Sequence, residues 1–276
     1  MTLKRLRLRN LLFHWRGNMA VFLGVVVGTA VLTGALLVGD SLRGSLRERT
    51  LHQLGWVEEA LVAPRFFRQG LASDLAWTGA AEHVCPVILL QGTIVVRAKG
   101  SAKTLRRQMG GITVLGVEDR FWSAFGENKE RSEGDCVVLN SVLGKQLGVT
   151  VGDMVSLRLQ KPSAIPRETL LGRRDDESVL EDWPLTVGEV LRAEDAADPF
   201  HLHPELEAPR TAFVPLAALQ QRLGLIGRCN ALLVGGVHSS LEGPLRSHLQ
   251  LADWGLVLQG PDDRVEALFQ QLDKNH

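Results

Sequence analysis

The sequence predicts an α+β protein in which one N-terminal transmembrane helix and its stalk carry a mixed α/β, two-lobed extracytoplasmic domain. Three observations lead to this fold class. An uncharged run of 20 residues stands near the N-terminus, basic residues precede it, and strand-like and helix-like segments alternate through the rest of the chain. Helices do not stand between every pair of strands, which favours mixed sheets.

The uncharged run, Met19–Val38, is the predicted membrane span. A helix of this length reaches about 30 Å, the hydrocarbon thickness of a bilayer. We therefore place the transmembrane helix at 19–39. Ala20, Gly24 and Gly28 recur every four residues on one face, a spacing that predicts close packing against another membrane helix. A span rich in Gly, Ala and Val also produces this spacing by chance.

The flank at 1–18 predicts the orientation of the span. Its charged residues are Lys4, Arg5, Arg7, Arg9 and Arg16, with no acidic residue. Basic residues stay on the cytoplasmic side, so we expect the N-terminus in the cytoplasm and the bulk of the chain beyond the cell (inner) membrane. Leucines at helical spacing predict that this basic flank is a short amphipathic helix lying against membrane lipid.

A cleaved signal peptide is the alternative topology, with Thr33 and Ala35 as small residues at the cleavage site. The apolar run continues past that site and is longer than about 15 residues, the upper limit of a usual signal-peptide core. Both features favour an uncleaved anchor.

Charge and cysteine usage exclude some functions of the exported part. Beyond the N-terminal flank, 26 Lys and Arg stand against 31 Asp and Glu, a net charge of −5, and no basic stripe suggests a nucleic-acid partner. Cys85, Cys136 and Cys229 are odd in number and lie in apolar, strand-like contexts. They predict buried thiols in preference to a disulfide framework, although one bridge stays open.

A stalk helix is predicted at 40–55 and the extracytoplasmic domain at 56–276. A long charged loop is expected at 161–182, where the three breakers Pro162, Pro166 and Gly172 precede the charged run RRDDE. Strands are predicted at Val57–Ala63, Val84–Ala98 (two strands broken at Gln91-Gly92), Ile112–Val117, Cys136–Leu139, Met154–Leu159, Leu185–Leu191, Thr211–Val214, Asn230–Val234 and Leu256–Leu258. Helices are predicted at Phe66–Leu75, around Phe121–Phe125, up to Leu147 after an Asn140 cap, and at Leu216–Leu223, Leu241–Leu251 and Asp262–Leu272.

No motif in the chain indicates catalysis or a cofactor. There is no GxxxxGK[ST] phosphate loop and no GxSxG nucleophile motif. Asp198, His201, His203 and Glu205 are the best metal candidates, but two prolines and the local charge favour a solvated loop. We therefore predict no catalytic, cofactor-binding or metal-binding residues.

Three stretches together resemble the MacB/FtsX-like permeases of ABC transporters, including the lipoprotein-releasing LolC/LolE type. They are the lead LRLRNLLFHWRGN, the segment VLNSVLGKQLGVTVGDMVSLRL (Val138–Leu159), and RTAFVPLAALQQRLG followed by NALLV (Arg210–Val234). Each is a loose pattern, and the specificity lies in their order along the chain. The resemblance implies an inner-membrane permease subunit that works as a homo- or heterodimer with a separate ABC ATPase. Its extracytoplasmic domain would pass ATP-driven motion outward.

The chain departs from this family after the domain. Members have further membrane helices, usually three, whereas no other window here reaches 18 apolar residues. We therefore expect an N-terminal fragment or a truncated permease. A singly anchored or secreted module that binds a ligand between two lobes is the alternative, and a membrane-tethered hydrolase is a third. The sequence indicates neither the substrate nor the direction of transport.

Overall fold

The computed structural model describes residues 9, 13–96, 107–127, 134–160, 179–202, 208–254 and 256. The chain forms two compact units, Met1–His52 and Gln53–His276. The first unit consists of most of the helix α1 (Trp15–Leu54), which has 40 residues. Gly39 and Gly44 do not interrupt it.

Helix α1 is long and apolar enough to cross a membrane, so the predicted single N-terminal apolar helix is present. Between residues 15 and 52 none of its side chains is buried. The Thr29 hydroxyl donates to the Val25 carbonyl at 2.9 Å, which satisfies the polar group within the helix. Most of the predicted amphipathic flank, residues 1–8 and 10–12, lies outside the described residues.

The second unit is a mixed α/β domain, as predicted. Its strands are β1 (Glu59–Arg68), β2 (Ala81–Val96), β3 (Arg107–Val117), β4 (Cys136–Leu139), β5 (Met154–Gln160), β6 (Val179–Val190), β7 (Thr211–Pro215) and β8 (Arg228–Val237). Its helices are α2 (Gly70–Trp77), α3 (Asp119–Ala124), α4 (Ser141–Leu147), α5 (Leu216–Leu223) and α6 (Glu242–His248), followed by a 3₁₀ turn at Leu251–Trp254.

The strands follow the order β1-β8-β2-β3-β7-β4-β6-β5, and β5 also pairs with β2. Six strands, from β2 to β5 in that order, therefore form a closed ring of ladders. Pairs β3–β7 and β4–β6 are parallel and the others in the ring are antiparallel. The two expected lobes are not separate compact units: the ring and the β1–β8 extension share β2.

Helices cover the sheet on two sides and create two cores. The larger core includes Leu143 and Leu147 of α4 and Leu216 and Leu219 of α5. The smaller core is rich in aromatic residues and includes Phe121, Trp122, Phe200 and Phe213. Burial of these apolar side chains supplies the main favourable free energy of folding.

The segment around α4 forms as predicted. The Asn140 side chain accepts a hydrogen bond from the Leu143 backbone N–H at 3.1 Å, and Gly148 ends the helix with φ +65°. Val138, on the strand before α4, does not share a core with Leu143 and Leu147 of α4. All three are buried, but Val138 belongs to the smaller core, because it points to the opposite side of β4.

Several strands differ from their predicted bounds; β3, β6 and β8 begin earlier than expected. Two of the differences have a local physical reason. Strand β1 continues through Pro64 to Arg68, because the ladder with β8 has an irregularity between Val62 and Phe67 where no backbone N–H from proline is needed. Strand β2 is one strand and not two. Its pairing shifts register between Gly92 and Ile94 while the strand runs on.

The outcome of several predictions lies partly or wholly outside the described residues. Within the charged loop 161–182, residues 161–178 are not described, and 179–182 already belong to β6. His203, Glu205 and the helix predicted at 262–272 also lie outside the described residues. Of the strand expected at 256–258, only Leu256 is described.

Candidate functional site

The segment Gln53–Val57 is the place where the chain passes from α1 into the domain. Gly55 follows the last residue of α1 and has φ +59°, the left-handed conformation that ends helices. The Val57 N–H then donates to the Leu54 carbonyl at 3.1 Å, and the Glu58 N–H donates to the Val234 carbonyl at 2.9 Å. The bond from Glu58 to Val234 therefore starts the pairing of the chain with β8 directly after this segment.

Trp56 of this segment belongs to a group of six aromatic side chains, which we call the aromatic cluster: Trp56, Phe121, Trp122, Phe125, Phe200 and Phe213. Phe121 lies at its centre. Its ring centroid is 6.2 Å from that of Trp56, 5.2 Å from that of Phe125 and 5.2 Å from that of Phe200. These rings meet edge to face, an arrangement that contributes about 0.5–1.5 kcal/mol per pair beyond area burial.

Two glycines allow the chain to approach this closely. A Cβ atom on Gly55 would lie 2.6 Å from Phe125 Cε1. A Cβ atom on Gly235 in β8 would lie 2.3 Å from the Trp56 carbonyl oxygen. Both distances are well below van der Waals contact, so a larger residue at either position would displace the segment.

The segment after β6 closes the aromatic cluster. The backbone N–H of His201 donates to the Gln53 carbonyl at 3.0 Å, which satisfies one of the carbonyls left open at a helix C-terminus. Ala197 and Phe200 are fully buried. The solvated loop predicted around Asp198 and His201 is therefore wrong, because Ala197 and Phe200 belong to the smaller core and Asp198 and His201 are buried.

Asp198 is buried because it has specific partners. Its Oδ1 accepts the Ser141 backbone N–H at 2.5 Å, and its Oδ2 accepts the Ser141 hydroxyl at 2.8 Å. Asn140 adds two bonds nearby: Oδ1 accepts the Thr211 N–H at 3.2 Å and Nδ2 donates to the Pro209 carbonyl at 2.6 Å. These bonds join the start of α4, β7, Asp198 and Pro209 into one network.

Only two of the four metal candidates, Asp198 and His201, lie in the described part of the chain. The Asp198 carboxylate is hydrogen-bonded to Ser141. His201, three residues further along the chain, is also buried. Among the described residues no group of three His, Cys, Asp or Glu side chains is placed to hold a metal ion. The other two candidates, His203 and Glu205, lie outside those residues.

All three cysteines are free thiols, as the sequence favoured. Burial raises the pKa of Cys85 to about 12, and burial likewise raises the pKa of Cys229 to about 12. Thiols with such pKa values stay protonated at neutral pH and are poor nucleophiles and poor metal ligands. They act here as small apolar groups.

The predicted packing residues Ala20, Gly24 and Gly28 lie on α1. Among described atoms, nothing is within 4 Å of the Cβ positions of Gly24 and Gly28. Their role in helix packing stays a prediction.

An open polar cavity of about 510 Å³ lies elsewhere on the domain. It is lined by Asp135, Trp183, Pro184, Ala218, Gln221 and Arg222. The Trp183 indole N–H donates to Asp135 Oδ1 at 3.4 Å, so the polar groups at its floor already have each other as partners.

The aromatic cluster is the feature that sequence reasoning missed. The chain indicates a helix around Phe121, Trp122 and Phe125, which is present as α3. Their partners Trp56 and Phe200 are far away in sequence. Trp56 is the first residue of the predicted extracytoplasmic domain, and Phe200 lies in the stretch predicted to be a solvated loop. The one local signal for the cluster is Phe200 itself, a large apolar side chain between two polar stretches.

In sequence, the chain matches no protein-family model and no curated protein. In structure it is similar to the extracellular domain of the noncanonic ABC-type transporter YknZ from Gram-positive bacteria, with 12% identity, a TM-score of 0.39, and coverage of 67% of this chain and 87% of that one. It is also similar to the periplasmic region of MacB from Actinobacillus actinomycetemcomitans, with 11% identity, a TM-score of 0.38, and coverage of 71% and 82%.

Proposed function

We propose that this chain is a permease subunit, or the N-terminal part of one, in an ABC-type export or lipoprotein-release transporter. In this role it transmits the motion of a separate ATPase to the extracytoplasmic side. One observation carries the proposal: α1 runs without a break from Trp15 to Leu54, and the residues that follow are packed tightly into the domain. A continuous helix with a firmly held end can pass on a displacement that a flexible linker would absorb.

The tight packing at Gln53–Val57 supports this role in physical terms. Backbone bonds join Gln53 to His201 and Glu58 to Val234, so the segment is tied to two separate parts of the domain. The aromatic cluster adds close packing with little freedom to rearrange. A displacement of this segment would therefore reach the sheet and the 197–202 region together.

The membrane side of the proposal rests on the sequence of α1 and its flank. The basic flank favours a cytoplasmic N-terminus and an extracytoplasmic domain. The Arg16 guanidinium lies 5.8 Å from the centroid of the Trp15 ring, a pair suited to the lipid headgroup region. Ala20, Gly24 and Gly28 present a face on which a second permease helix can pack closely.

The chain itself is proposed to be without enzymatic activity and without a cofactor. The chemistry would belong to the ATPase, and this chain would contribute packing and rigidity. Purified alone, it is expected to show no ATP hydrolysis above background. Turnover that co-purifies with the chain after removal of contaminating ATPases would contradict this part of the proposal.

Topology is tested with a reporter enzyme that is active only outside the cytoplasm. Fused after Leu54, the reporter is expected to be active, and the protein should stay in membranes after alkaline extraction. Fused before Met19 it should be inactive. An active reporter at the N-terminal position, or a mature N-terminus near Leu36, would contradict the orientation or the anchor.

The transmission role is tested by uncoupling the two units. The chain is expressed together with an ABC ATPase, sought first among the genes next to its own, and a Gly-Gly-Ser insertion is placed between His52 and Gln53. We expect the variant to bind the ATPase and to keep the unfolding temperature of the domain, but to lose transport. The same insertion between Ser239 and Ser240, both exposed, is the control. Transport that survives the first insertion would refute transmission through this segment, and a chain with no ATPase partner would favour the singly anchored binding module.

A further inference from the structure

Arg68, the last residue of β1, holds the C-terminal part of the domain. Its Nε donates to Asp253 Oδ2 at 3.0 Å and its Nη1 pairs with Asp74 Oδ2 at 2.7 Å. Its Nη2 donates to the His248 carbonyl at 2.5 Å. One guanidinium thus joins β1 to α2, to the end of α6 and to the 3₁₀ turn. Five donors in a fixed fork allow arginine to do this, and lysine has no equivalent.

Asp253 is the matching acceptor. Its side chain is only 1% exposed. Besides the guanidinium it accepts the backbone N–H of Arg68 at 3.2 Å through Oδ1 and the backbone N–H of Gln250 at 2.9 Å through Oδ2. Burial works against the charge of Arg68, and the bonds to Asp253 and Asp74 outweigh it, so the pKa of the guanidinium is raised.

The rest of the attachment is weak. We call residues 242–254 the C-terminal strap. Apart from the Asp253 side chain, α6 and the 3₁₀ turn bury no residue. Leu245 and Leu249 pack against the larger core only in part, and Arg65 Nη1 donates to the Trp254 carbonyl at 3.3 Å. Because little apolar area is buried, the polar contacts of Arg68 dominate what holds the strap.

The strap also covers the edge of the sheet. Strand β1 pairs with β8 on one side, and the N–H of Arg68 faces Asp253 and not β8. An edge strand with open donors can pair with another chain, and proteins usually protect such edges. The Asp253 carboxylate performs that protection at the end of β1.

We propose that residues 242–254 form a detachable strap, which Arg68 holds on β1 and which opens as a unit while the sheet stays folded. Segments that bury few apolar groups and depend on a few polar contacts open locally far below the free energy of global unfolding. This inference is independent of the proposed function, because it concerns the domain alone.

Amide hydrogen exchange of the full chain in detergent tests the proposal. In Arg68→Met we expect exchange in residues 242–254 to quicken about tenfold or more, the loss expected for charge-assisted bonds. Exchange in β2 and β4 should stay as in the parent. Arg68→Lys should resemble Arg68→Met, because lysine cannot reproduce the fork.

Arg246→Met is the matched control. Arg246 lies within the strap and pairs with Glu242 at 2.7 Å, but both side chains are largely exposed, so its loss should leave exchange unchanged. Asp253→Asn supplies a second variant and should also open the strap. Unchanged strap exchange in both Arg68→Met and Asp253→Asn would overturn the proposal. So would equal acceleration in strap and strands, or failure of both variants to fold, since either result would make Arg68 a support of the whole domain.

Discussion

Replacing Gly55 with alanine is expected to destabilise the domain more than any other glycine-to-alanine change after a helix end. Two separate costs meet at this residue. Its φ of +59° is unfavourable for any residue with a Cβ atom, at about 1–2 kcal/mol. The new Cβ would also lie 2.6 Å from Phe125 Cε1 and 3.0 Å from Cζ, an overpacking that costs about 1–3 kcal/mol.

Gly79 separates the two costs. It follows α2 with φ +66°, and nothing lies within 4 Å of its Cβ position. Gly79→Ala should therefore show the conformational cost alone, about 1–2 kcal/mol. The difference between Gly55→Ala and Gly79→Ala, about 1–3 kcal/mol, measures the contact with Phe125.

The assay is urea unfolding of the full chain in detergent, followed by tryptophan fluorescence. A second variant, Gly55→Ala with Phe125→Leu, removes the ring that the new methyl group meets, so the two changes should be less costly together than the sum of each alone. If Gly55→Ala and Gly79→Ala are equally stable, or if the two changes at 55 and 125 are additive, the close approach of this segment to Phe125 is wrong.

Two further predictions concern the cores. Leu147→Ala should cost ~2–5 kcal/mol through lost burial and a residual cavity, whereas Val151→Ala, at a side chain that is 64% exposed, should change the free energy of unfolding by less than about 0.5 kcal/mol; equal unfolding midpoints would show that α4 is not part of the core. Cys85 and Cys229, whose folded-state pKa values are raised from 9.0 to about 12, stabilise the fold fully below pH 9, and this contribution is lost as the pH rises towards 12; the chain has no Tyr whose titration would overlap. The urea concentration at the unfolding midpoint should therefore fall above pH 9, and the fall should be smaller in Cys229→Ala. A thiol reagent at pH 8 should label Cys136 well before Cys85 and Cys229.

Local sequence signals predicted the elements whose partners are close in the chain. Asn140 and Gly148 stand at the two ends of α4, and each acts through atoms within a few residues of itself. For this reason the cap, the helix and its end could all be predicted. The uncharged span of α1 is likewise a property of one contiguous stretch.

Signals that depend on distant partners were not predictable. Asp198 and Ser141 are 57 residues apart. The Asp198 carboxylate was predicted to be solvated, but Ser141 satisfies it in the interior, and local sequence periodicity does not reveal a partner so far away. Pro64 suggested the end of a strand, but the irregular pairing of β1 with β8 removes the need for its N–H. The aromatic cluster could not be predicted for the same reason. Trp56 and Phe200 are distant in sequence, and both pack against Phe121 only in the folded domain.

Strand β2 pairs with β8 over Ala81–Val87, with β3 over Ile88–Val96 and with β5 over Gly92–Val96. Inserting or deleting one residue in its middle would move every side chain beyond that point to the opposite face. The error would spread to the ladders with β3 and β5 at once, and the ring would offer no free edge at which a shifted strand could slide. Among relatives that diverge from this chain, length changes should therefore collect in the connections between strands, while the number of residues in β2 stays constant.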